Sequence, residues 1–280
     1  MTCCDMAYVF CLVGRLVAMT HSQENHLTLL GFAQHGVISS RSAMLPELDA
    51  LLALVPAPAE VAAEVYRRLA VEEDALQKLS VANRQKTFNY LKRLYGLDPA
   101  LALFRDLARL WPMDAPGRPM LAALLAFARE PLLHKCLAMV ASHPPGSALG
   151  RADFEQWVRD VAPGQYSATM YRSFSHNLYA SFFQFGYLGA ASGKSRLRQT
   201  PTVTAAVTAY AAFLDWLEGR NGMTLLGSRY SAALQLTTAT HIDLLTSAGR
   251  QNLMRVAYSG GVLELDFSTW LKPGEQRLLA

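Results

Sequence analysis

The stretch Met120-Leu-Ala-Ala-Leu-Leu-Ala-Phe-Ala128 decides the fold class of this chain. All nine residues are apolar, and seven of them are alanine or leucine, two of the strongest helix formers. A helix without a polar side has to be buried, and nine residues are far fewer than the roughly 20 that cross a bilayer. The stretch therefore predicts a buried helix inside a mainly helical protein.

Helical spacing of apolar residues continues on both sides of this stretch. Ser80 is a good N-cap, and Gly96 and the pair Asp98-Pro99 mark a helix end and the next helix start. The linker is predicted at residues 143–150, where the sequence His143-Pro-Pro-Gly-Ser147 breaks the pattern. These signals predict a helical bundle domain over residues 21–142, with helices at 42–54, 60–78, 81–95, 100–110, 120–128 and 131–142.

A second domain is predicted over residues 151–280. A short helix at 152–161, the turn Pro163-Gly164, a helix at 167–185 and a basic loop at 189–199 follow the order of a helix-turn-helix with a wing. The chain then alternates apolar and polar residues around Ser259-Gly-Gly261, which predicts a terminal β-hairpin. The fold class is thus mainly α, with two helical domains, the second of helix-turn-helix or winged-helix character, and with further helices at 202–217, 225–234 and 240–251.

The first 20 residues form an apolar N-terminal extension that differs from the rest of the chain. It either precedes a translation start at Met19 or forms a short first helix that docks on the body. The chain is 51% hydrophobic and 17% charged, yet no run of about 18 apolar residues is free of charge. The cysteines suit neither a disulfide framework nor a zinc knuckle. We expect a cytoplasmic protein without a membrane partner.

No motif makes a positive case for an enzyme. The segment Gly189-Ala-Ala-Ser-Gly193-Lys-Ser195 has three residues between its glycines, whereas a phosphate-binding P-loop needs four and follows a strand. The histidines lack metal-ligand spacing, and Glu264 and Asp266 have no upstream acidic partner for a nuclease-type metal site. We expect no catalysis, no metal, no cofactor and no small-molecule substrate.

The distribution of charge is more informative than the net charge of +4. No acidic residue lies between Asp160 and Asp215, and none lies between Gln77 and Leu97. Basic and hydroxyl side chains without acidic neighbours favour contact with a phosphate backbone. The alternative is ordinary uncharged surface, which is common in a chain with few charges. The predicted DNA-binding residues are Arg84, Lys86, Lys92, Arg93, Thr169, Arg172, Ser173, Lys194, Arg196 and Arg198.

Within the second domain the predicted helix 167–185 has two sides. Its start is expected to present Ser167, Thr169, Tyr171, Arg172 and Ser175. Its buried side is expected to contain Phe174, Leu178, Phe182 and Phe185, because these keep helical spacing. The aromatic residues 182–187 therefore indicate core rather than a platform for stacked bases. The acidic terminal hairpin suggests a structural or protein-contacting wing.

The order of several segments resembles the BrxA family of BREX (bacteriophage exclusion) systems over roughly residues 30–200. The segments are Gly36-Val-Ile-Ser-Ser-Arg-Ser42 at the start of the first helix, Asp74–Lys86, Tyr95-Gly-Leu-Asp-Pro99, Leu121–Ala128, Ser167-Ala-Thr169 and Phe185-Gly-Tyr-Leu188. The resemblance implies an all-helical, two-domain accessory protein of a phage-defence cluster that binds double-stranded DNA without catalysis. The chain differs from the family in its N-terminal extension and in a longer tail after Leu197.

Two functional hypotheses follow. The first is a non-enzymatic protein that binds double-stranded DNA within a bacterial anti-phage system. The second is a scaffold that binds other proteins of the same operon without DNA contact, through apolar surface of the N-terminal segment and of the tail at Trp270-Leu271.

Overall fold

The apolar stretch 120–128 lies at the centre of the fold. In a computed structural model that describes residues 21–279, it forms most of helix α6 (Arg118–Arg129), and all nine of its residues are buried. Because α6 has no polar side, neighbouring helices pack against it from both halves of the chain. The predicted N-terminal extension, with both of its alternatives, lies outside the described residues.

The described part of the chain is mainly helical, as predicted. The other helices are α1 (His21–Leu30), α2 (Leu45–Ala53), α3 (Ala63–Val71), α4 (Val81–Tyr95), α5 (Ala102–Leu110), α7 (Pro131–Ser142), α8 (Arg151–Val161), α9 (Ala168–Gln184), α10 (Ala205–Leu217), α11 (Arg229–Ala233), α12 (Thr238–Arg250) and α13 (Pro273–Gln276).

Helix α4 shows why some boundaries were predictable. The Ser80 hydroxyl accepts the Asn83 N–H at 3.2 Å, and Gly96 ends the helix with φ of 87°. Both signals are local in sequence, so the predicted range 81–95 is confirmed.

Three other helix predictions were wrong in extent. The segment 36–42 is not the start of a helix, because its backbone is bonded to other elements and α2 begins only at Leu45. The helix predicted at 60–78 ends at Val71, and Asp74 then takes a positive φ of 54° while its carboxylate accepts the Lys78 N–H at 3.0 Å. The helix predicted at 225–234 divides into a 3-10 helix, Gly222–Gly227, and α11.

Two small antiparallel sheets complete the fold. β1 (Ala148–Gly150), β2 (Leu188–Ser192) and β3 (Ser195–Arg198) form a sheet with the order β1-β3-β2. The predicted linker thus contributes a strand, and the predicted basic loop is a hairpin that turns at Gly193, where φ is 60°. β4 (Arg255–Ser259) and β5 (Val262–Asp266) form the predicted terminal hairpin.

Residues 31–45, from the end of α1 to the first residue of α2, form a mostly nonhelical segment that we call the strap. Arg129 donates to the Gly31 carbonyl, and the Glu130 carboxylate accepts the Val37 and Ile38 N–H groups at 2.5 and 3.2 Å. Both charged residues are buried, at 6% and 0% exposure. The strap, in which buried and exposed residues are mixed, is therefore held against the body of the fold, because side chains at the α6–α7 junction bind its backbone.

The buried apolar side chains form one cluster that runs from Leu30 to Leu271. α6 contacts α4 and α5 before the predicted linker and also contacts α10 and α11 after it. The core is thus continuous across residues 143–150, and the division into two domains stays a prediction. None of the described helices is long and apolar enough to cross a membrane.

The burial of Glu130 makes stability depend on pH. Desolvation raises the pKa of this carboxyl from 4.5 to about 7, against the opposing effect of the strap N–H groups. A raised folded-state pKa gives stability that is present below pH 4.5 and lost as the pH rises through 7. Glu130→Gln cannot ionise. We therefore expect its free energy of unfolding, minus that of the wild type, to increase by about 3 kcal/mol as the pH rises from 4.5 to 8; urea titrations measure both values. A pH-independent difference would contradict the assignment.

Candidate nucleic-acid interface

Helix α9 has three sides with different surroundings. Its N-terminus is capped by Ser167, whose hydroxyl accepts the Met170 N–H at 3.3 Å. The prediction of its apolar side is confirmed, because all four residues expected to be buried there are buried: Phe174, Leu178, Phe182 and Phe185. Tyr171 and Ser175, expected at the exposed start, are also buried, because the Tyr171 hydroxyl donates to the Ala162 carbonyl at 2.5 Å and the Ser175 hydroxyl donates to Arg172 of its own helix.

A second side of α9 is covered by the strap. Asn177 donates to the Ile38 carbonyl at 2.8 Å, and the Ser173 hydroxyl donates to the Ser39 carbonyl at 3.1 Å. Further along the helix, Ser181 and Gln184 accept strap N–H groups at 2.8 and 3.0 Å. Ser173, predicted as a free hydroxyl donor to phosphate, therefore binds the strap instead.

The third side of α9 is open to solvent. Thr169, Arg172, His176 and Phe183 are exposed and recur at spacings of three, four and seven residues, which places them in one stripe. The Arg172 Nε–H donates to the Ala168 carbonyl of its own helix at 3.3 Å. The other guanidinium N–H groups of Arg172 have no partner among the described residues.

The β2–β3 hairpin, which we call the wing, extends this stripe. Lys194 is exposed at its turn. Arg196 lies over the Phe183 ring, with its guanidinium carbon 3.6 Å from the ring centroid, and donates to the Gly189 carbonyl at 2.8 Å. This cation–π contact joins the wing to the open side of α9 and fixes the direction of the Arg196 side chain.

Arg198 was predicted as a phosphate contact, and this prediction is wrong. The residue is 2% exposed. Its Nε–H donates to the Val140 carbonyl at 3.0 Å, and its other N–H groups donate to the Gln199 carbonyl and the Gln235 side chain. Burial also lowers the pKa of its guanidinium. Arg198 therefore fastens the wing to α7 and to the segment before α12.

On α4 the predicted basic residues divide into two groups. Lys86, Lys92 and Arg93 are exposed. Arg84 is not available for phosphate, because its side chain is only 19% exposed, lies 3.3 Å from the Asp74 carboxylate and donates to the Val71 carbonyl at 3.2 Å. Its role is to close the loop between α3 and α4.

The strap adds a basic residue that the sequence reasoning missed. Arg41 is half-buried, and its guanidinium carbon lies 5.6 Å from the centroid of the Tyr90 ring on α4. The signal was present, because no acidic residue lies between Glu24 and Glu47. In the tertiary structure this acid-free segment contacts α9 and α4, which belong to the two acid-free segments named above.

The charge around the strap is positive. His35 has its pKa lowered from 6.5 to about 4 by burial and by the nearby Arg129 and Arg93 guanidinium groups. Glu130 is buried beneath the strap, with its carboxylate bonded to strap N–H groups. Basic side chains thus lie on α9, the wing, the strap and α4.

The apolar tail proposed for protein contact is buried. Trp270 is 3% exposed, packs 4.8 Å from the Phe213 ring and donates its Nε1–H to the Leu253 carbonyl at 2.7 Å. Leu271 is also buried. Exposed apolar side chains do occur near the turn of the β4–β5 hairpin, at Tyr258 and Val262.

Comparison with known proteins assigns no family. No family model and no curated protein matches this chain. Among solved structures, the crystal structure of an uncharacterized protein from Magnetospirillum magneticum is similar, with 19% sequence identity and a TM-score of 0.47 over 65% of this chain and 94% of that one. A similarity of this size establishes neither fold nor function.

The difference in burial between Arg198 and Lys194 can be tested by measuring the free energy of unfolding of variants at the two positions. Arg198→Ala removes hydrogen bonds to the buried Val140 carbonyl, to the Gln199 carbonyl and to the Gln235 side chain, and should lower the free energy of unfolding by about 2–4 kcal/mol in urea. Lys194→Ala changes an exposed turn residue and should stay within about 0.5 kcal/mol. Equal effects of the two substitutions would contradict the buried role of Arg198.

Proposed function

We propose that this protein binds double-stranded DNA without catalysis, through a winged-helix unit made of β1, α8, α9, β2 and β3. The observation that carries the proposal is the open stripe of α9, which is continuous with the wing. Neither α9 nor the wing contains an acidic residue. In a helix-turn-helix of this kind the second helix enters the major groove while the wing contacts the adjacent backbone.

The order of elements supports this unit. A strand, two helices and a two-stranded hairpin follow one another, and the first strand pairs with the last one at the sheet centre. α8 and α9 pack closely together. Arg172 and Lys194 supply positive charge at the two places where a duplex would pass, and Thr169 supplies a hydroxyl donor.

The cellular role proposed is that of an accessory component in a bacterial anti-phage system. Its support is the resemblance to the BrxA family, carried by the segments of residues 30–200. The sequence and its acid-free windows agree with a DNA-binding member of such a system. Phage plaque assays on strains that lack the gene, with and without its neighbours, test this role directly.

The main test is a salt series of DNA binding. Arg172→Glu combined with Lys194→Glu should lower affinity about 10- to 100-fold and should reduce the slope of log K against log salt by about 2, because two phosphate contacts are lost. Fluorescence anisotropy with a labelled duplex of about 30 base pairs measures both quantities.

The matched control is Arg220→Glu combined with Arg277→Glu. It makes the same change of net charge at two exposed positions outside α9, the wing, the strap and α4. We expect it to change affinity only slightly. Equal losses for the two double variants would mean that net charge alone governs binding and would contradict the proposed unit.

A scaffold function is the second candidate, favoured by the exposed Tyr258 and Val262 on the acidic terminal hairpin. If this hairpin contacts another protein of the operon, Tyr258→Asp with Val262→Asp should abolish co-purification of that protein while DNA affinity stays unchanged. Retained co-purification would remove the hairpin from the proposal.

A further inference from the structure

Three acid-free segments meet at the strap, and we propose that a single DNA duplex runs across all of them, from α9 over the strap to α4. The inference rests on the proposed function and extends it. It assigns Arg41, Lys86 and Arg93 to the same duplex that the winged-helix unit holds, so that the binding site is longer than the contact of that unit.

The strap brings the two helices together. Ser39 accepts a hydrogen bond from Ser173 of α9, and Arg41 lies over Tyr90 of α4. Residues 39 and 41 are at most about 7 Å apart along the chain. The strap therefore contacts the polar side of α9 at Ser39 and the Tyr90 side of α4 at Arg41.

On both helices the exposed residues lie beside this contact. Thr169 and His176 are four residues before and three residues after Ser173, and both are exposed. Lys86 is four residues before Tyr90, Arg93 is three residues after it, and both are exposed. Because residues three and four apart are neighbours on the surface of a helix, each helix presents an open edge along the strap.

Charge supports a common ligand for the two edges. Arg41 is positive and the strap has no acidic residue. Arg93 acts on the strap as well, since its charge contributes to the lowered pKa of His35. No carboxylate on α9, the strap or α4 would repel a phosphate backbone passing from one edge to the other.

The basic residues of α4 set the extra site size. From Lys86 to Arg93 the helix rises about 10 Å at 1.5 Å per residue. At about 3.4 Å per base pair, this distance corresponds to about three base pairs of duplex. The wild-type protein should therefore gain affinity as a duplex is lengthened by about this amount beyond the winged-helix contact.

The test is a duplex-length series from about 10 to 30 base pairs, measured by anisotropy at several salt concentrations with the full chain. Arg41→Gln with Lys86→Gln and Arg93→Gln should lower affinity for the longest duplex about tenfold or more, reduce its salt slope by about 3, and flatten the gain with length. Arg220→Gln with Arg277→Gln and Lys272→Gln is the matched control and should keep the length dependence. Thermal unfolding of both triple variants checks that they are folded.

Each outcome decides the inference. The inference is supported if affinity increases with duplex length in the wild type and if the triple variant of Arg41, Lys86 and Arg93 removes this increase. Binding that depends on Arg172 and Lys194 but not on duplex length or on this variant overturns it and leaves the proposed function standing. Two duplexes bound per chain, in a titration at high protein concentration, would mean separate sites and would also overturn it. No binding at any length overturns the proposed function together with the inference.

Discussion

The candidate surface depends on the buried carboxylate of Glu130. It accepts two strap N–H groups at the break between α6 and α7, and the preceding Arg129 donates to the Gly31 and Arg93 carbonyls. Each buried backbone group left without a partner would cost about 1–3 kcal/mol. Arg129 and Glu130 thus hold a nonhelical segment against the helical core and join it to α4.

The strap in turn determines which part of α9 is open. Its carbonyl and N–H groups bond to the polar side chains of Ser173, Asn177, Ser181 and Gln184, while the aromatic side of the same helix enters the core. The remaining stripe is the one that faces solvent. Arg196 over Phe183 then links this stripe to the wing. A structural constraint in the interior therefore defines the charged exterior.

Local chemistry made part of this predictable. Ser80 and Gly96 fixed both ends of α4, and the apolar spacing of Phe174, Leu178 and Phe182 fixed the buried side of α9. The wing was predicted as a loop, because its strands of five and four residues are rich in small and polar residues and have little intrinsic strand signal. Its pairing with β1 joins residues almost 50 positions apart, which no local pattern reveals.

By itself the sequence determined that the chain is mainly helical, that α6 is buried and that acidic residues are missing from long segments, since these follow from composition and spacing. Only the tertiary structure decided which basic residues face solvent. Arg198 and Lys194 are four residues apart, yet one binds Val140 and Gln235 in the interior and the other is exposed. The tertiary structure likewise placed Arg41 beside α4, over the Tyr90 ring. Burial depends on distant partners, and those partners meet only when the chain has folded.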